Sequence, residues 1–309
     1  MQQLKKIFIT GATGFLGSHI VDALLLEGYT IYATRRAASD LSRCDLFFDK
    51  IRWVDIDKET WADSIGEIVP DVIIHSMWIG VDAGNRSDWS QQIKNIELTE
   101  KLLEVAAKVK IGKFIGLGSQ AEYGNFSCKI KEDALTMPDS AYGVVKKMCS
   151  DMTRIICEEN NVKWFWLRLF PLFGEKESEK WLIPSVIKSI MTKDSMDFTL
   201  GEQKYAYLYV KDFAQAIVDV VKTDGSSGVY NLSSSNPMPL REVITKIRDL
   251  INPSFQLNFG KLPYRQGQSM HIEGDVSNFE NSISKIPSSD FDEKLRQTID
   301  YYKAIYDEK

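Results

Sequence analysis

Tyr142 and Lys146 stand four residues apart in Ala141–Glu159, a run whose apolar spacing predicts a helix, so both side chains leave the same face. An ammonium beside a phenol favours the phenolate and lowers a pKa that would otherwise sit near 10. Such a tyrosine can pass a proton to or from an oxygen atom near neutral pH. Taken alone, Tyr-x-x-x-Lys is a common helix-surface pair. Ser119 adds to it, because it follows the apolar run Lys113–Leu117 at the carboxyl end of an expected parallel strand, where such sheets place their ligands.

A second constellation lies near the N-terminus. Gly11-Ala-Thr13-Gly14-Phe15-Leu16-Gly17 sits between an apolar strand, Lys6–Thr10, and a run with helical spacing at Ile20, Val21, Leu24 and Leu25. Glycine lets the backbone turn tightly and approach a pyrophosphate, and the helix N-terminus offers free N–H groups and a positive dipole end. The spacing is G-x-x-G-x-x-G and not the G-x-G-x-x-G of the usual dinucleotide fingerprint, so a purely structural turn is the alternative. The second strand ends in Thr34-Arg35-Arg36, where an NAD site usually has an acid for the ribose 2′-hydroxyl. Two arginines suit a 2′-phosphate, and hence NADP, by charge-assisted bonding; the plainer reading is a solvated loop.

The elements that must position these residues alternate. Strands are expected at Lys6–Thr10, Tyr29–Thr34, Ile51–Val54, Val72–His75, Lys113–Leu117 and Trp164–Leu169, with helices at Ser90–Lys108 and Ala141–Glu159. Gly28 is placed to end the first helix. Buried β-rich runs separated by amphipathic helices predict a doubly wound parallel sheet. After Pro171 the rhythm changes: a charged loop at Gly174–Lys180, an apolar helix at Trp181–Thr192, and strands near Asp197–Leu200 and Tyr205–Val210. A helix capped by Asp212, a strand at Val229–Leu232 and helices at Leu240–Leu250 and Phe291–Tyr306 complete the chain. The expected organisation is an α/β, Rossmann-type domain over residues 1–170, with 205–232 returning to it. A smaller C-terminal substrate-binding lobe takes 171–204 and 233–309.

Composition excludes several classes. Of 309 residues 44% are hydrophobic and 26% charged, enough for a sizeable core without staples. The net charge of −5 is spread along the chain, so no nucleic-acid surface is expected. No apolar run reaches the length of a membrane span, and Met1–Lys6 runs straight into a strand, leaving no room for a leader peptide. Cys44, Cys128, Cys149 and Cys157 lack metal or disulfide spacing, and His19, His75 and His271 are scattered. Reduced thiols, no metal and a cytoplasmic setting are expected.

Taken in order, several segments resemble the extended short-chain dehydrogenase/reductase family, in its nucleotide-sugar epimerase and ketoreductase branch. They are Gly11–Gly17, Asn95, Gly118-Ser-Gln-Ala-Glu-Tyr-Gly124, Tyr142-Gly-Val-Val-Lys146, Leu167-Arg-Leu-Phe-Pro-Leu-Phe-Gly174, Tyr207–Asp212, Gly228–Leu232 and Tyr264-Arg-Gln-Gly267. The resemblance implies that Tyr142 is the general acid or base, that Lys146 bonds the nicotinamide ribose, and that Ser119 holds the reacting sugar oxygen, with Gln120 beside it. It places Asp55 and Ile56 by the adenine, Asn95 in the scaffold, and Arg265 on the substrate pyrophosphate. Trp181-Leu-Ile-Pro184 looks like the nucleotide-holding segment; an apolar helix start packed in the core is the alternative. Relatives also pair two helices across a two-fold axis. The apolar residues Leu102, Leu103, Val145, Met148, Met152 and Ile156 therefore suggest a homodimer.

Departures from the pattern narrow the chemistry. Dehydratases of this branch carry Asp-Glu after the catalytic hydroxyl residue, and fucose-forming epimerase-reductases carry a cysteine two positions after it. This chain has Gln120-Ala121, which cannot exchange protons at a sugar carbon. Hydride transfer alone remains: NADPH-dependent reduction of a keto group, expected at C4 of a nucleotide-linked keto-deoxy sugar, or 4-epimerisation with a tightly held cofactor. A non-catalytic NADP sensor is the reading from another class, and the retention of Ser119, Tyr142 and Lys146 argues against it. Tyr205-Ala206 stands where relatives often have Arg-Asp, and Pro171 where they often have Asn, so the phosphate grip would rest on Arg265 and Lys204.

Overall fold

The computed structural model describes residues 5–307 apart from positions 83 and 266. Met1–Leu4, from which the absence of a leader was expected, and Gln266 of the Tyr264–Gly267 motif lie outside the described residues. Seven parallel strands form the central sheet: β1 (Lys6–Thr10), β2 (Thr30–Arg35), β3 (Arg52–Asp55), β4 (Val72–His75), β5 (Lys113–Ser119), β6 (Lys163–Leu169) and, much later in the chain, Gly228–Leu232. Helices α1 (Phe15–Leu26), α2 (Trp61–Ile68), α3 (Trp89–Gln92), α4 (Lys94–Val109) and α5 (Ala141–Glu159) connect the first six. Beyond them come β7 (Leu172–Phe173), α6 (Leu182–Thr192), β8 (Ser195–Phe198), β9 (Lys204–Tyr205), β10 (Leu208–Tyr209) and α7 (Val210–Lys222). The chain ends with β11 (Gly228–Leu232), β12 (Met238–Pro239), α8 (Leu240–Ile251), β13 (Gln256–Phe259), β14 (His271–Ile272), α9 (Ser277–Ser282) and α10 (Phe291–Asp307).

The strand order is β11-β6-β5-β4-β1-β2-β3, a Rossmann-like sheet. The chain starts at β1 and winds outward to β3, then returns to β4 and winds the other way. The crevice between the carboxyl ends of β1 and β4 is the switch point at which such sheets bind ligands. Helices α1 and α7 pack together on one face, and α2, α4 and α5 on the other. The strands are near-continuous apolar runs because both faces are covered: Ile7, Phe8 and Ile9 of β1 are all fully buried. Gly28, with φ +80°, closes α1 by donating to the Leu25 carbonyl.

Outside the sheet, β8 pairs with β13, β7 with β10, and β9 with β12 and β14. Helices α6 and α8 pack against each other and against β8 and β12 respectively, and α10 packs against both helices. No helix among the described residues is long and apolar enough to cross a membrane.

Four expectations need correction. Asp212 does not cap α7, which begins two residues earlier; its carboxylate accepts from Ser289 N–H at 3.1 Å and Ser289 Oγ at 2.7 Å. The helix expected over Ser90–Lys108 is broken at Ile93, where the Gln92 carbonyl accepts from Asn95 Nδ2 at 3.1 Å. The strand expected over Tyr205–Val210 splits into β9, β10 and the start of α7. Leu102, Leu103 and Val145 are buried within the subunit and offer nothing to a partner, whereas Met148 is exposed and Met152 and Ile156 are half-buried.

His75 ties β4 to its neighbours in the buried layer beneath the crevice. The Thr99 hydroxyl donates to Asn95 O at 2.7 Å, so at 3.2 Å His75 Nε2–H donates to Thr99 Oγ1. Its Nδ1, 2.9 Å from Thr10 Oγ1, then accepts from that hydroxyl. A neutral ring satisfies every partner. Burial, reinforced by the Lys146 charge, pushes the imidazole pKa down to about 3. The unfolded chain takes up this proton near pH 6.5 and the folded chain refuses it until about pH 3, so stability is lost as pH falls through that window. One unmatched proton corresponds to about 1.4 kcal/mol per pH unit. Urea unfolding between pH 6.5 and 4 should show this slope, and His75→Gln should flatten it; an unchanged slope in the variant contradicts the account.

Candidate active site

The glycine loop occupies the mouth of the crevice. Gly11 has φ +77°, and a Cβ there would lie 2.7 Å from Met77 N; at Gly17 it would lie 2.0 Å from the Gly11 carbonyl oxygen. Both positions therefore exclude a side chain, and the loop presses against the strand end and the segment after β4. Gly14 N–H donates to Gly11 O at 3.0 Å, and α1 then starts at Phe15. The first-turn N–H groups of Phe15, Leu16 and Gly17 have no earlier carbonyl to bond, which makes a cradle for anionic oxygen. Thr13 is half-buried beside them.

At the end of β2 the two arginines differ. Arg35 lies against the neighbouring rings of Phe48 and Trp53, its guanidinium carbon 5.3 and 5.6 Å from the ring centres. Arg36 is exposed, and its loop is closed by Arg36 N–H donating to Ser39 Oγ at 2.9 Å. Across the register from Arg35 stands Asp55, and Ile56 N–H donates to Arg35 O at 2.9 Å. Arg35, Arg36, Asp55 and Ile56 thus share one corner beside the glycine loop's end of the sheet.

Ser119 ends β5 with its backbone N–H donating to Glu122 Oε1 at 2.9 Å, while its hydroxyl accepts from Ala121 N–H at 3.2 Å. This reciprocal capping starts the turn that carries Gln120 and Ala121. Glu122 is fully buried and also accepts from Trp166 Nε1 at 2.9 Å and Arg168 Nε at 2.8 Å. Sequence reasoning did not single out Glu122 or Arg168, although Ser-x-x-Glu after an apolar strand was a signal for the cap.

Tyr142 and Lys146 are both buried in the first turns of α5. Burial raises the phenol pKa; the Arg86 charge and then the Ser119 hydroxyl, which faces the phenol, act in the opposite direction. Lys146 Nζ donates to Leu117 O at 2.5 Å and lies 3.4 Å from the Trp78 ring centre, but 5.8 Å from that of Tyr142. Burial pushes its pKa down to about 7. Trp78 is fixed by its indole N–H donating to Gln92 Oε1 at 2.9 Å. Asn95 holds the same segment, accepting from Ile79 N–H at 2.7 Å and donating to Ile79 O at 3.1 Å. Neither Trp78 nor Arg86 carries a sequence signal, since both lie in an irregular connection.

Trp181 precedes α6 and stacks with Arg86 at 5.3 Å, while Ile183 and Pro184 are buried in the core. Lys180 pairs with Asp82 at 2.6 Å across the mouth of the cleft. Arg265 is exposed and its charge reaches Tyr205, the residue standing where relatives often have arginine. The Tyr205 hydroxyl accepts from Gln268 Nε2 at 2.8 Å. Lys204 is exposed next to it. Among the described residues no three His, Cys, Asp or Glu side chains gather as a metal site.

A glycine cradle at the switch point, with a serine and a Tyr–Lys helix pair facing it, defines a nucleotide-dependent enzyme of the Rossmann class. The chain belongs to the NAD-dependent epimerase/dehydratase family, whose profile matches residues 7–233. It is 29% identical over 279 residues to CDP-abequose synthase of Salmonella muenchen, covering 88% of this chain and 90% of that one. It is 24% identical to the CDP-abequose synthase of Yersinia pseudotuberculosis, over 91% of this chain and 96% of that one. Among solved structures it resembles the UDP-N-acetylglucosamine 4-epimerase of Methanobrevibacter ruminantium M1, in complex with UDP-N-acetylmuramic acid. That match has a TM-score of 0.88 and 25% identity, covering 98% of this chain and all of that one.

Glu122 offers a test of how the site is held. Glu122→Gln keeps an acceptor for Ser119 but leaves the Arg168 guanidinium, 3% exposed, without its counter-charge. Breaking a buried pair from one side costs about 3–5 kcal/mol. Chemical denaturation should register a loss of that order; a loss below about 1 kcal/mol contradicts the account.

Proposed function

We propose that this protein reduces a keto group, at C4, of a nucleotide-linked keto-deoxy sugar, using NADPH. The observation that carries the reading is the convergence of Ser119 and Tyr142 at the carboxyl end of the sheet, across the switch point from the glycine cradle. Gln120 and Ala121 follow the serine and supply no acid or base for elimination or for exchange at a second carbon. Such a site does one thing: it moves a proton at one oxygen while a hydride moves at the attached carbon.

The cofactor, when bound, supplies that hydride. Gly11, Thr13, Gly14, Phe15, Leu16 and Gly17 would receive its pyrophosphate, Asp55 and Ile56 its adenine, and Lys146 its nicotinamide ribose. The family is described as NAD-dependent, and the preference for NADP rests on Arg35 and Arg36. Arg35 is held by its aromatic neighbours and Arg36 is free to turn, so a 2′-phosphate would find charge-assisted donors there. Tyr142 donates its proton to the keto oxygen and Ser119 orients that oxygen. Gln120, Trp181 and Arg265 hold the rest of the substrate, with Lys204 sharing the phosphate charge. The similarity to two CDP-abequose synthases supports a CDP-linked sugar.

A second reading, 4-epimerisation with a retained cofactor, is favoured by the likeness to a UDP-N-acetylglucosamine 4-epimerase. Cofactor consumption separates the two. With NADPH and a panel of CDP-, dTDP-, GDP- and UDP-linked 4-keto sugars, the expected result is stoichiometric NADPH oxidation, best with a CDP sugar. Tyr142→Phe should cut this turnover by about 10²-fold or more, as the loss of a general acid does. Replacing Arg35 and Arg36 by alanine should remove a preference for NADPH over NADH of about ten-fold while sparing NADH binding. Near-parental turnover in Tyr142→Phe, or equal parental affinity for the two cofactors, overturns the corresponding assignment.

We also infer a homodimer. Val144, Met148 and Ile155 form one exposed apolar face of α5, and Ile93 beside α4 is exposed as well. Light scattering at micromolar concentration should give twice the chain mass, and Met148→Glu should halve it; a monomeric parent protein refutes the inference.

A further inference from the structure

Arg86 lies in the connection between β4 and α3, and it touches the proton-transfer tyrosine twice. Its carbonyl accepts from Tyr142 N–H at 2.9 Å, at the start of α5. Its guanidinium carbon lies 4.7 Å from the centre of the Tyr142 ring, with the Trp181 ring 5.3 Å away. Nε donates to Val81 O at 3.0 Å, and the two Nη groups make no hydrogen bond among the described residues. The other cation of the site is directed elsewhere: Lys146 Nζ bonds Leu117 O and rides over Trp78.

Charged and titratable groups reach Tyr142 from each neighbouring element. Arg86 and Ser119 favour the ionised phenol; Glu122, in the turn after β5, opposes it. Lys146 stands on the same helix, 5.8 Å from the ring centre. At the rim, Lys180 and Asp82 pair with each other at 2.6 Å. Arg86 is the nearer of the two cations that contact the Tyr142 ring, at 4.7 Å against 5.8 Å for Lys146.

We propose that Arg86 is a positioning residue of the proton transfer, which fixes the start of α5 through its carbonyl and stabilises negative charge on the Tyr142 oxygen through its guanidinium. The spacing Tyr-x-x-x-Lys assigns that second task to Lys146; here Lys146 is left to hold the cofactor ribose. The inference rests on the reading of Tyr142 as the proton donor. When the Tyr142 O–H bond breaks and a new O–H bond forms on the substrate oxygen, the phenol oxygen keeps the electron pair. That is the charge Arg86 would meet, in a buried site where water screens it poorly.

The test needs neither substrate nor cofactor, so it stands even if the assigned reaction is wrong. The full chain is made with 3,5-difluorotyrosine at position 142, whose more acidic phenol titrates where the fold survives, and its fluorine resonance is followed against pH. Arg86→Gln should raise the titration midpoint by about one pH unit, the size of effect a neighbouring opposite charge produces. Arg86→Lys should restore most of the shift, and Lys146→Met should move the midpoint less than Arg86→Gln does. An unmoved midpoint in Arg86→Gln, or a larger shift in Lys146→Met, overturns the proposal. If the midpoint behaves as expected while no keto sugar is turned over, the function assigned to the site fails and the role of Arg86 stands.

Discussion

The Glu122 carboxylate is completely buried, and the geometry of the site follows from the need to satisfy it. A charge removed from water must be paired and fully hydrogen-bonded, or it costs several kcal/mol. Its partners come from three places: the backbone of Ser119, the indole of Trp166 and the guanidinium of Arg168. To reach it, the Trp166 ring crosses β5 at Gly116 and Gly118, where a Cβ would lie 2.4 and 2.3 Å from the indole. Those two glycines are therefore part of the arrangement that stops β5 at Ser119 and turns its hydroxyl toward Tyr142. Arg168 continues the chain of contacts, donating to Glu132 O at 3.2 Å and lying over the Tyr123 ring. Tyr123 in turn donates to Asn231 Oδ1 at 2.7 Å, which joins the site to the edge strand β11. Such a pair adds little net stability over an apolar substitute, but it penalises every other arrangement of the same residues.

The opposite wall is built on polar bonds to backbone and not on charge. Thr10, His75, Thr99 and Asn95 run from β1 through β4 to α4 and end on the Ile79 peptide. This fixes the segment that carries Trp78 and leads to Arg86. Two rigid scaffolds thus meet at α5, one holding Ser119 and the other holding the groups that face Tyr142 and Lys146.

Much of this was legible in the sequence because it depends on local pattern. The sheet strands followed from short β-rich runs, the tight loop at Gly11–Gly17 from glycines between a strand and a helix, and the shared face of Tyr142 and Lys146 from a four-residue spacing. What was not legible depends on contacts between distant segments. Asp212 has the composition of a helix cap, yet Ser289, far along the chain, takes its carboxylate. Leu102, Leu103 and Val145 have the composition of an interface, yet the α4–α5 packing consumes them. The break at Ile93 reflects Asn95 and Gln92 spending their side chains on the segment after β4. Arg86 stands in irregular backbone, where no periodicity could assign it a face.

In the proposed reaction the site acts on one oxygen and one carbon and consumes its cofactor. The most direct test uses NADPH carrying deuterium at both nicotinamide C4 positions, together with the keto sugar that the protein consumes best. The account predicts one deuterium on the reduced carbon of the product sugar, C4, for each NADPH oxidised, with none at neighbouring carbons. Interconversion of two sugar epimers with the label still in the cofactor pool, or exchange of solvent protons at C3 or C5, would contradict it.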